Sequence, residues 1–384
     1  MNMIAFPPVA AEAVTDPAAL RAEVRAFLAA ELGPDYGPTL RARSWSGHDP
    51  AFSRRLGQQG WLGMTLPRAY GGHERSALDR YVVVEELLAA GAPVAAHWIA
   101  DRQSAPLILH NGTEAQRQLI LPKIAAGECY FCIGMSEPDS GSDLAAARTR
   151  AERTESGFRI NGTKLWTTYA HEAHYMILLA RTGPAEDRHG GLSQFLIDLS
   201  TPGITISPIL DIAGEHHMNE VSFRDVEVPA DALLGQEGEG WKQVMGELAF
   251  ERSGPDRFLS SFALINALIA QIGTQPDRLE AQVIGRIAAH LMVLRQMSIS
   301  VAGMLARGEN PAQQATIVKD LGALLEQEIP EIARALTDTA PRPGERDTFA
   351  AVLAQTILAA PSFSLRGGTR QILRGIIARG LGLR

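Results

Sequence analysis

The runs GMSEPDSGSDLAAA (Gly134 to Ala147) and NGTKLWTTYAHEAHY (Asn161 to Tyr175) decide the fold of this chain. The first run packs hydroxyls, a carboxylate and glycines closely, which favours a loop whose N–H groups and hydroxyls face a phosphate-bearing ligand. The second run sets Trp166 between two strand-like segments, with Thr167 and Thr168 beside it. A flat indole next to hydroxyl donors suits a planar heterocycle. Together the runs predict a ligand that has both a ring and a phosphate.

The pattern of apolar residues divides the chain into three parts. Residues 1–128 have helical spacing, except that 1–14 are rich in alanine and proline and are expected to be disordered. Residues 129–235 are strand-like, with frequent glycine and proline, which is typical of a small antiparallel β-barrel. Residues 236–384 are helical again, with a break at Ala340 to Gly344. The expected fold class is therefore α+β, with helical, barrel and helical domains in that order.

Local signals predict individual elements within these parts. Asp16-Pro17 is a helix start, followed by apolar residues at helical spacing up to Gly33. Asn161-Gly162 is a hairpin signal. Two further helices are expected at Tyr81–Ala90 and Ala115–Ala126. Three strands are expected, at Tyr175–Ala180, Ser193–Leu199 and around Val221 to Pro229.

Composition excludes several classes of function. The chain has 384 residues, a net charge of −7 and no lysine-rich tract, which argues against nucleic acid as a partner. The N-terminus has no basic residues before its apolar stretch, so we expect no signal peptide. No apolar run approaches the roughly 20 residues of a membrane span. We therefore expect a cytoplasmic protein.

Three polar groupings lie outside the two runs. Cys129 and Cys132 enter an apolar, strand-like run, so we expect a buried and inert pair. The adjacent pair His216-His217 lacks a third ligand nearby, so no metal is expected. The C-terminal arginines, which include Arg366, Arg370 and Arg374 on one helix face, are interpreted either as phosphate contacts or as a solvated or inter-subunit face.

Three motifs resemble those of the acyl-CoA dehydrogenase family of flavoenzymes. Gly134 to Asp143 match its serine-glutamate signature, Lys164 to Thr168 match K-x-W-[IT]-[TS], and Gly368 to Arg374 match G-T-x-[EQ]-I-x-R. The resemblance covers nearly the whole chain. It implies FAD as cofactor and dehydrogenation of an acyl-CoA thioester to a trans-2-enoyl-CoA, with electron-transferring flavoprotein as acceptor. In that reaction a carboxylate removes the α proton, and hydride passes from the β carbon to flavin N5.

The resemblance leaves two places for the base. Many members have a glutamate where this chain has Gly367, and glycine cannot accept a proton. Other members have a Glu-Arg pair at the start of the C-terminal domain, which matches Glu251-Arg252. The stripe formed by Trp241, Val244 and Leu248 also reaches position 251, so a carboxylate there is expected on a buried face with a raised pKa. We predict Glu251 as the base, with Glu247 as the fallback.

The resemblance also implies roles for binding residues. Ile133 to Ser136, including Met135, would border the flavin pyrimidine, and Ser142 would lie near the pyrophosphate and the substrate. Trp166 would cover the flavin face away from substrate, and Thr168 would reach N5. Three further residues come from the C-terminal region: Thr369 and Gln371 would meet the flavin, and Arg252 would stand near the CoA moiety.

The chain departs from the family in its adenosine contacts. The family motif R-x-x-F-G is missing from ALIAQIGTQPDRLEAQ, and Q-x-x-G-G-x-G is missing between Asp338 and Gln355. A heterotetramer with a second dehydrogenase-like chain would supply both, as in some bacterial members that degrade steroid side chains and other bulky acids. A homo-oligomer with altered contacts is the other interpretation. Two alternative functions stay open: a flavin oxidase on this fold, and a non-catalytic subunit of a heteromeric dehydrogenase.

Overall fold

The structure is a computed structural model that describes residues 4–9 and 16–383, without the side chains of residues 247–251. Contacts divide the chain into two compact units. The first contains the described residues within Met1–His48, Arg75–Ala95 and Leu248–Arg384, and the second contains Asp49–Glu74 and Ala96–Glu247. The division into three domains with boundaries near residues 128 and 235 stays a prediction.

The order of elements is helical, then β, then helical. The helices are α1 (Pro17–Leu32), α2 (Pro38–Arg41), α3 (Pro50–Gln58), α4 (Ala77–Ala89), α5 (Ala95–Ile99), α6 (Ala105–Asn111), α7 (Glu114–Ala125), α8 (Gly240–Glu251), α9 (Phe262–Ile272), α10 (Arg278–Ala306), α11 (Ala312–Thr337), α12 (Phe349–Phe363) and α13 (Arg370–Gly380). The strands are β1 (Phe131–Gly134), β2 (Arg150–Arg153), β3 (Gly157–Thr168), β4 (Tyr175–Arg181), β5 (Leu192–Asp198), β6 (Ile204–Leu210), β7 (His216–Pro229) and β8 (Leu233–Leu234). This order confirms the predicted fold class.

Helix starts follow their local capping chemistry. The Asp16 side chain accepts a hydrogen bond from the N–H of Ala19, which caps α1 as the Asp-Pro signal predicted. The helices predicted at 81–90 and 115–126 are confirmed as α4 and α7. Each begins with a capping box, formed by Ser76 with Asp79 and by Thr113 with Gln116.

Buried ion pairs hold three helices of the first unit together. Glu85 and Glu86 of α4 are both buried, at 7% and 6% exposure. Arg21 of α1 pairs with both carboxylates at 2.5 Å, and Arg295 of α10 reaches Glu85 at 2.7 Å. Because each buried carboxylate has a cationic partner, the cost of burying these two charges of α4 is offset.

Residues 4–9 contact the first unit although they form neither helix nor strand. Ser300 donates a hydrogen bond to the carbonyl of Pro7 at 2.7 Å, and Gln314 donates to that of Ala5 at 3.1 Å. Val9 packs against the cluster formed by Leu78, Tyr81 and Ala302. The rest of the segment predicted to be disordered, 1–3 and 10–14, lies outside the described residues.

The second unit is built around one sheet with strand order β6-β7-β3-β2-β4-β5-β8, in which β1 also pairs with β4. Pairing is antiparallel except for the parallel ladders β1–β4 and β2–β4. Neighbouring residues of β4, such as Ile177 and Leu178, belong to different core clusters. The continuous apolar run predicted there therefore reflects a strand that is buried on both faces.

The hairpin prediction at Asn161-Gly162 is wrong. Both residues lie inside β3, where the register with β7 shifts between Ile160 and Gly162. Gly162 has φ +149°, and a Cβ on it would lie 2.5 Å from the side chain of Thr149. The dipeptide therefore forms a bulge that requires glycine, and the chain does not reverse there.

The two cysteines are buried, at 3% and 0% exposure, and pack into two different core clusters. Burial raises the pKa of the Cys129 thiol to about 12 and raises that of Cys132 further. Neither thiol is therefore poised to ionise at neutral pH, and the prediction of an inert pair is confirmed.

By length and composition, helix α10 is long and apolar enough to cross a membrane, contrary to the expectation from the sequence. The most apolar window of α10 is 44% buried within the protein. Core helices of soluble proteins meet the same criteria of length and composition, so this single helix is weak support for a span.

Candidate active site

The first motif forms a loop after β1 that is closed by its own backbone. The N–H of Glu137 donates to the carbonyl of Ser140 at 2.7 Å, and Ser140 N–H returns a bond to Glu137 at 3.2 Å. The carbonyl of Ser136 accepts from the N–H of Leu165 at 2.8 Å, which attaches the loop to β3. The two sequence motifs are therefore neighbours in space.

A buried ion pair joins the same two motifs. Lys164 is fully buried, and its Nζ donates to Glu137 Oε1 at 2.8 Å and to the carbonyl of Met135 at 3.0 Å. The N–H groups of Arg148 and Thr149 donate to the same carboxylate, at 2.6 and 2.9 Å. Sequence reasoning missed this pair, although a charged residue stands at a fixed place in each motif.

The pKa values of the pair follow from burial and mutual attraction. Burial opposes ionisation of Glu137, but Lys164 and the two N–H donors outweigh it and hold the pKa of Glu137 below its usual value. Burial lowers the pKa of Lys164 to about 8, against the attraction of Glu137. The pair therefore fixes the loop after β1 in one position relative to β3.

Trp166 is held in an unusual backbone conformation and is exposed. Its φ is +61°, and it lies where the register between β3 and β7 shifts from Lys164 to Thr167. Bulky residues are genuine outliers at positive φ, and such strain clusters at ligand-binding sites. The Trp166 side chain is 58% exposed. A strained strand bulge that presents an indole to solvent provides a flat surface for a planar ligand.

Polar groups suited to a heterocycle lie around this surface. Ser136 and Thr168 are half-buried. Thr167 Oγ1 is buried and has no hydrogen-bond partner among the described residues, and Thr168 Oγ1 contacts Met218 Sδ at 3.6 Å. Ile133 and Met135 are also half-buried, whereas Ser142 is exposed on the loop. These residues fit the ring end of a dinucleotide cofactor with hydroxyl and N–H donors.

The remaining predicted site residues belong to the first unit. Arg252 is buried at 5% exposure, and its Nε donates to the carbonyl of Gly367 at 3.0 Å. Thr369 is half-buried at the start of α13, and Gln371 is exposed in its first turn. The structure thus brings Arg252 next to the C-terminal motif. The side chain of Glu251, the predicted base, lies outside the described residues, as does that of Glu247.

All three of these C-terminal arginines make ion pairs within the chain, which neither interpretation anticipated. Arg366 Nη2 lies 3.0 Å from Glu326, and Arg370 Nε lies 2.8 Å from Asp320. Arg374 approaches Asp320 at 3.6 Å. These carboxylates are provided by α11, which the spacing of the arginines alone could not reveal.

The histidines at 216 and 217 have partners of their own. The His216 ring stacks on that of His171 at 3.9 Å between centroids, and both rings hydrogen-bond to Asn219 Oδ1. His217 lies 3.3 Å from Asp211. In the described part of the chain, no group of three or more His, Cys, Asp or Glu side chains is arranged to hold a metal ion.

Comparison with protein families gives two matches. Residues 15–128 match the acyl-CoA dehydrogenase N-terminal domain, and residues 132–226 match the acyl-CoA dehydrogenase middle domain. The second match contains the loop after β1, the Lys164–Glu137 pair and Trp166. FAD, the predicted cofactor, is the cofactor of this family.

Comparison with curated relatives and with solved structures indicates the same family. The acyl-CoA dehydrogenase IpdE1 of Mycolicibacterium smegmatis is 31% identical over 94% of this chain and 97% of its own length. Three mycobacterial acyl-CoA dehydrogenases at 35–36% identity align over 59–64% of their length, so the chain spans under two thirds of each. The ChsE4-ChsE5 complex from Mycobacterium tuberculosis has a TM-score of 0.83 and 30% identity, covering 97% of this chain and 98% of that one. A structure titled Tcur3481-Tcur3483 steroid ACAD has a TM-score of 0.85 and 27% identity, with coverage of 96% and 98%.

Proposed function

The chain belongs to the acyl-CoA dehydrogenase family of oxidoreductases, and from this premise we propose that it catalyses FAD-dependent α,β-dehydrogenation of an acyl-CoA thioester to a trans-2-enoyl-CoA. The observation that carries the proposal is Trp166, exposed and strained beside a loop that a buried ion pair fixes in place. Holding Trp166 at positive φ costs folding stability, and such backbone strain clusters at ligand-binding sites.

The residues of the second unit hold the ring end of the cofactor in this proposal. The backbone from Ile133 to Ser136 and the Ser136 hydroxyl would hold the pyrimidine part of the flavin, and Trp166 and Thr168 would contact its ring. Thr369 and Gln371, the other residues that the resemblance implies for the flavin, belong to the first unit. When bound, FAD supplies the acceptor for the hydride that leaves the β carbon of the substrate.

Glu251 removes the α proton of the thioester. It ends α8, and the next residue, Arg252, is anchored by its Nε to the carbonyl of Gly367, the position at which other members have their glutamate. This contact supports a site in which the catalytic carboxylate comes from α8, because it holds Arg252, the neighbour of Glu251, at position 367, where other members have the base. Breaking the α and β C–H bonds leaves the new double bond on the substrate and the proton on Glu251.

The substrate is a CoA thioester with a bulky acyl group. Ser142, exposed on the loop, and Arg252 are the residues that the resemblance implies for its CoA part. The bulk is inferred from relatives, since one structural neighbour is titled a steroid acyl-CoA dehydrogenase.

We further propose that the chain acts as a cytoplasmic heterotetramer with a second dehydrogenase-like chain and passes electrons to electron-transferring flavoprotein. The arginine and glycine-rich motifs that contact the adenosine end of FAD in the family are missing from residues 267–282 and 338–355. One structural neighbour is a complex of two differently named chains. A non-catalytic role within such an assembly is the second candidate, favoured by Gly367.

Anaerobic mixing of the FAD-loaded protein with acyl-CoA thioesters tests the proposal by loss of flavin absorbance. Glu251→Gln should retain the flavin but slow its reduction by about 100-fold or more, the range for a lost general base. Glu247→Gln is the matched control on the same helix and should reduce at a rate close to wild type. Rapid reduction in Glu251→Gln would contradict the assignment, and a wild-type assembly reduced only through its partner's site would favour the non-catalytic role.

A further inference from the structure

The segment that carries Trp166 contains two strained residues close together. Strand β3 has two residues between Lys164 and Thr167 where the facing strand β7 has one, so Trp166 lies in a β-bulge. Trp166 has φ +61°, and Tyr169, three residues further on, has φ +50°. Such angles are costly for residues other than glycine and persist only where surrounding contacts enforce them. The segment therefore needs contacts that hold it in this conformation.

The side chain of Asn219 is one such contact. Asn219 faces Thr167 across the ladder between β3 and β7 and is fully buried. Its Nδ2 donates to the carbonyl of Thr167 at 3.0 Å. Its Oδ1 lies 3.1 Å from His171 Nδ1 and 2.8 Å from His216 Nε2. The amide group therefore connects the bulge to a pair of stacked imidazole rings.

The orientation of this amide follows from its partners. The Thr167 carbonyl can only accept a hydrogen bond, so the amide nitrogen faces it and the amide oxygen faces the rings. Each ring must then present an N–H group, at Nδ1 of His171 and at Nε2 of His216. The rings stack with centroids 3.9 Å apart and planes 17° apart, which directs both N–H groups to one oxygen. The side chain of Asn219 is thus fixed at both of its ends.

The anchored carbonyl lies between the two residues that the proposed function assigns to the flavin ring. Trp166 directly precedes Thr167, and Thr168 directly follows it. The N–H of Tyr169 donates to the carbonyl of His217 at 2.8 Å, so β7 also holds the end of the segment. Loss of the donor to Thr167 would therefore let the strained backbone relax and would turn the indole and the Thr168 hydroxyl.

We propose that Asn219 is a positioning residue, which holds Trp166 and Thr168 in the orientation that receives the flavin ring. This inference rests on the proposed function and goes beyond it, since the buried Asn219 acts only through the carbonyl of Thr167. His171 and His216 are the donors that prevent the amide from rotating. A surface fixed before its ligand arrives binds more tightly, because less conformational freedom is lost on binding.

Flavin fluorescence tests the inference without requiring turnover. An indole in contact with a flavin quenches the flavin emission by electron transfer, so the emission lifetime reports how closely Trp166 lies against the ring. Lifetimes are measured on the FAD-loaded assembly for wild type, Asn219→Asp, Trp166→Ala and the double variant. FAD dissociation constants are measured by titration of the same assemblies after removal of the flavin. Asn219→Asp retains the size and the acceptor of the side chain but removes the donor to Thr167.

Two further variants separate positioning from a general loss of stability. His171→Phe retains a ring that stacks on His216 but removes its N–H, and the exposure of His171 favours normal folding. Val226→Ala is the matched control, because Val226 is buried in β7 away from the bulge, opposite Ile160. It should lower stability in urea and leave the flavin lifetime unchanged.

The lifetime should be short in wild type and longer in Trp166→Ala. Asn219→Asp should also lengthen it and should weaken FAD binding by about 10-fold, as expected for one lost hydrogen bond. His171→Phe should change both quantities in the same direction by a smaller amount. Because Asn219 acts largely through Trp166, adding Asn219→Asp to Trp166→Ala should weaken binding by less than about 3-fold more.

Unchanged lifetimes in Asn219→Asp and His171→Phe, with a longer one in Trp166→Ala, would overturn the inference and leave the proposed function intact. If Asn219→Asp failed to fold, an unchanged lifetime in His171→Phe would overturn it alone. Additive effects in the double variant, or an equal lengthening in Val226→Ala, would also overturn it and assign Asn219 a purely structural role. An unchanged lifetime in Trp166→Ala, or a wild type that binds no FAD, would overturn the proposed function itself.

Discussion

Replacing Lys164 by methionine tests the ion pair that joins the two sequence motifs. Methionine has nearly the same length but cannot donate to Glu137 or to the carbonyl of Met135. Glu137 would then be a buried carboxylate whose remaining described hydrogen bonds come from two backbone N–H groups. Breaking a buried pair on one side costs about 3–5 kcal/mol. Because those two N–H groups remain, we expect the lower end, about 3 kcal/mol of unfolding free energy.

The matched variant Glu137→Gln removes the negative charge of the same ion pair. Lys164 then lacks its carboxylate, but its pKa of about 8 lies close to neutrality, so release of its proton limits the penalty. We expect a loss of about 2 kcal/mol for Glu137→Gln, and for the double variant a loss smaller than the sum by about 1–3 kcal/mol.

Urea unfolding followed by fluorescence and circular dichroism provides the four free energies of this double-mutant cycle. Flavin retention should fall in Lys164→Met, because the carbonyl of Met135 and the loop after β1 lose their anchor. Strict additivity of the two single variants, or a loss under about 1 kcal/mol in Lys164→Met, would refute the reasoning that the pair is a coupled, buried anchor.

Three further predictions concern the cofactor, pH and assembly. Trp166→Ala should weaken FAD retention by about 1–3 kcal/mol, since the cofactor loses an aromatic surface; unchanged FAD occupancy and flavin spectrum would assign Trp166 to a structural role. Because the pKa of Glu137 is lowered on folding, its contribution to stability is complete above its unfolded value of about 4.5 and is lost at lower pH; acid unfolding monitored by circular dichroism should therefore be shallower in Glu137→Gln than in wild type. Expressed alone, the chain should purify poor in FAD, and co-expression with its partner should yield fewer than one FAD per chain; a homogeneous homo-oligomer with one FAD per subunit, quantified by absorbance, would contradict the heteromer.

Much of the fold could be predicted from short stretches of sequence. The start of α1 depends on Asp16, Pro17 and an N–H three residues from the cap, so a window of four residues contains the relevant chemistry. The strand β4 was evident because a continuous apolar run of this length is typical of a strand with two buried faces. The two motifs also indicated a planar, phosphate-bearing ligand, because hydroxyls, N–H donors and an indole are the groups that contact such a ligand directly.

Other features depended on contacts with residues that are distant in the sequence. Asn161-Gly162 has the local preference for a hairpin, but its pairing with β7 and its close approach to Thr149 make it a bulge inside β3. The local sequence could not distinguish these outcomes, because both use the same freedom of glycine at positive φ.

The sequence by itself determined the order of helical and β parts, the helix caps and the residue types of the proposed flavin-ring site, because each depends on groups within a few residues of one another. The tertiary structure alone decided the partners of the buried charges. Lys164 and Glu137 are 27 residues apart, and Arg366 and Glu326 are 40 apart. Whether such groups meet depends on the packing of whole strands and helices.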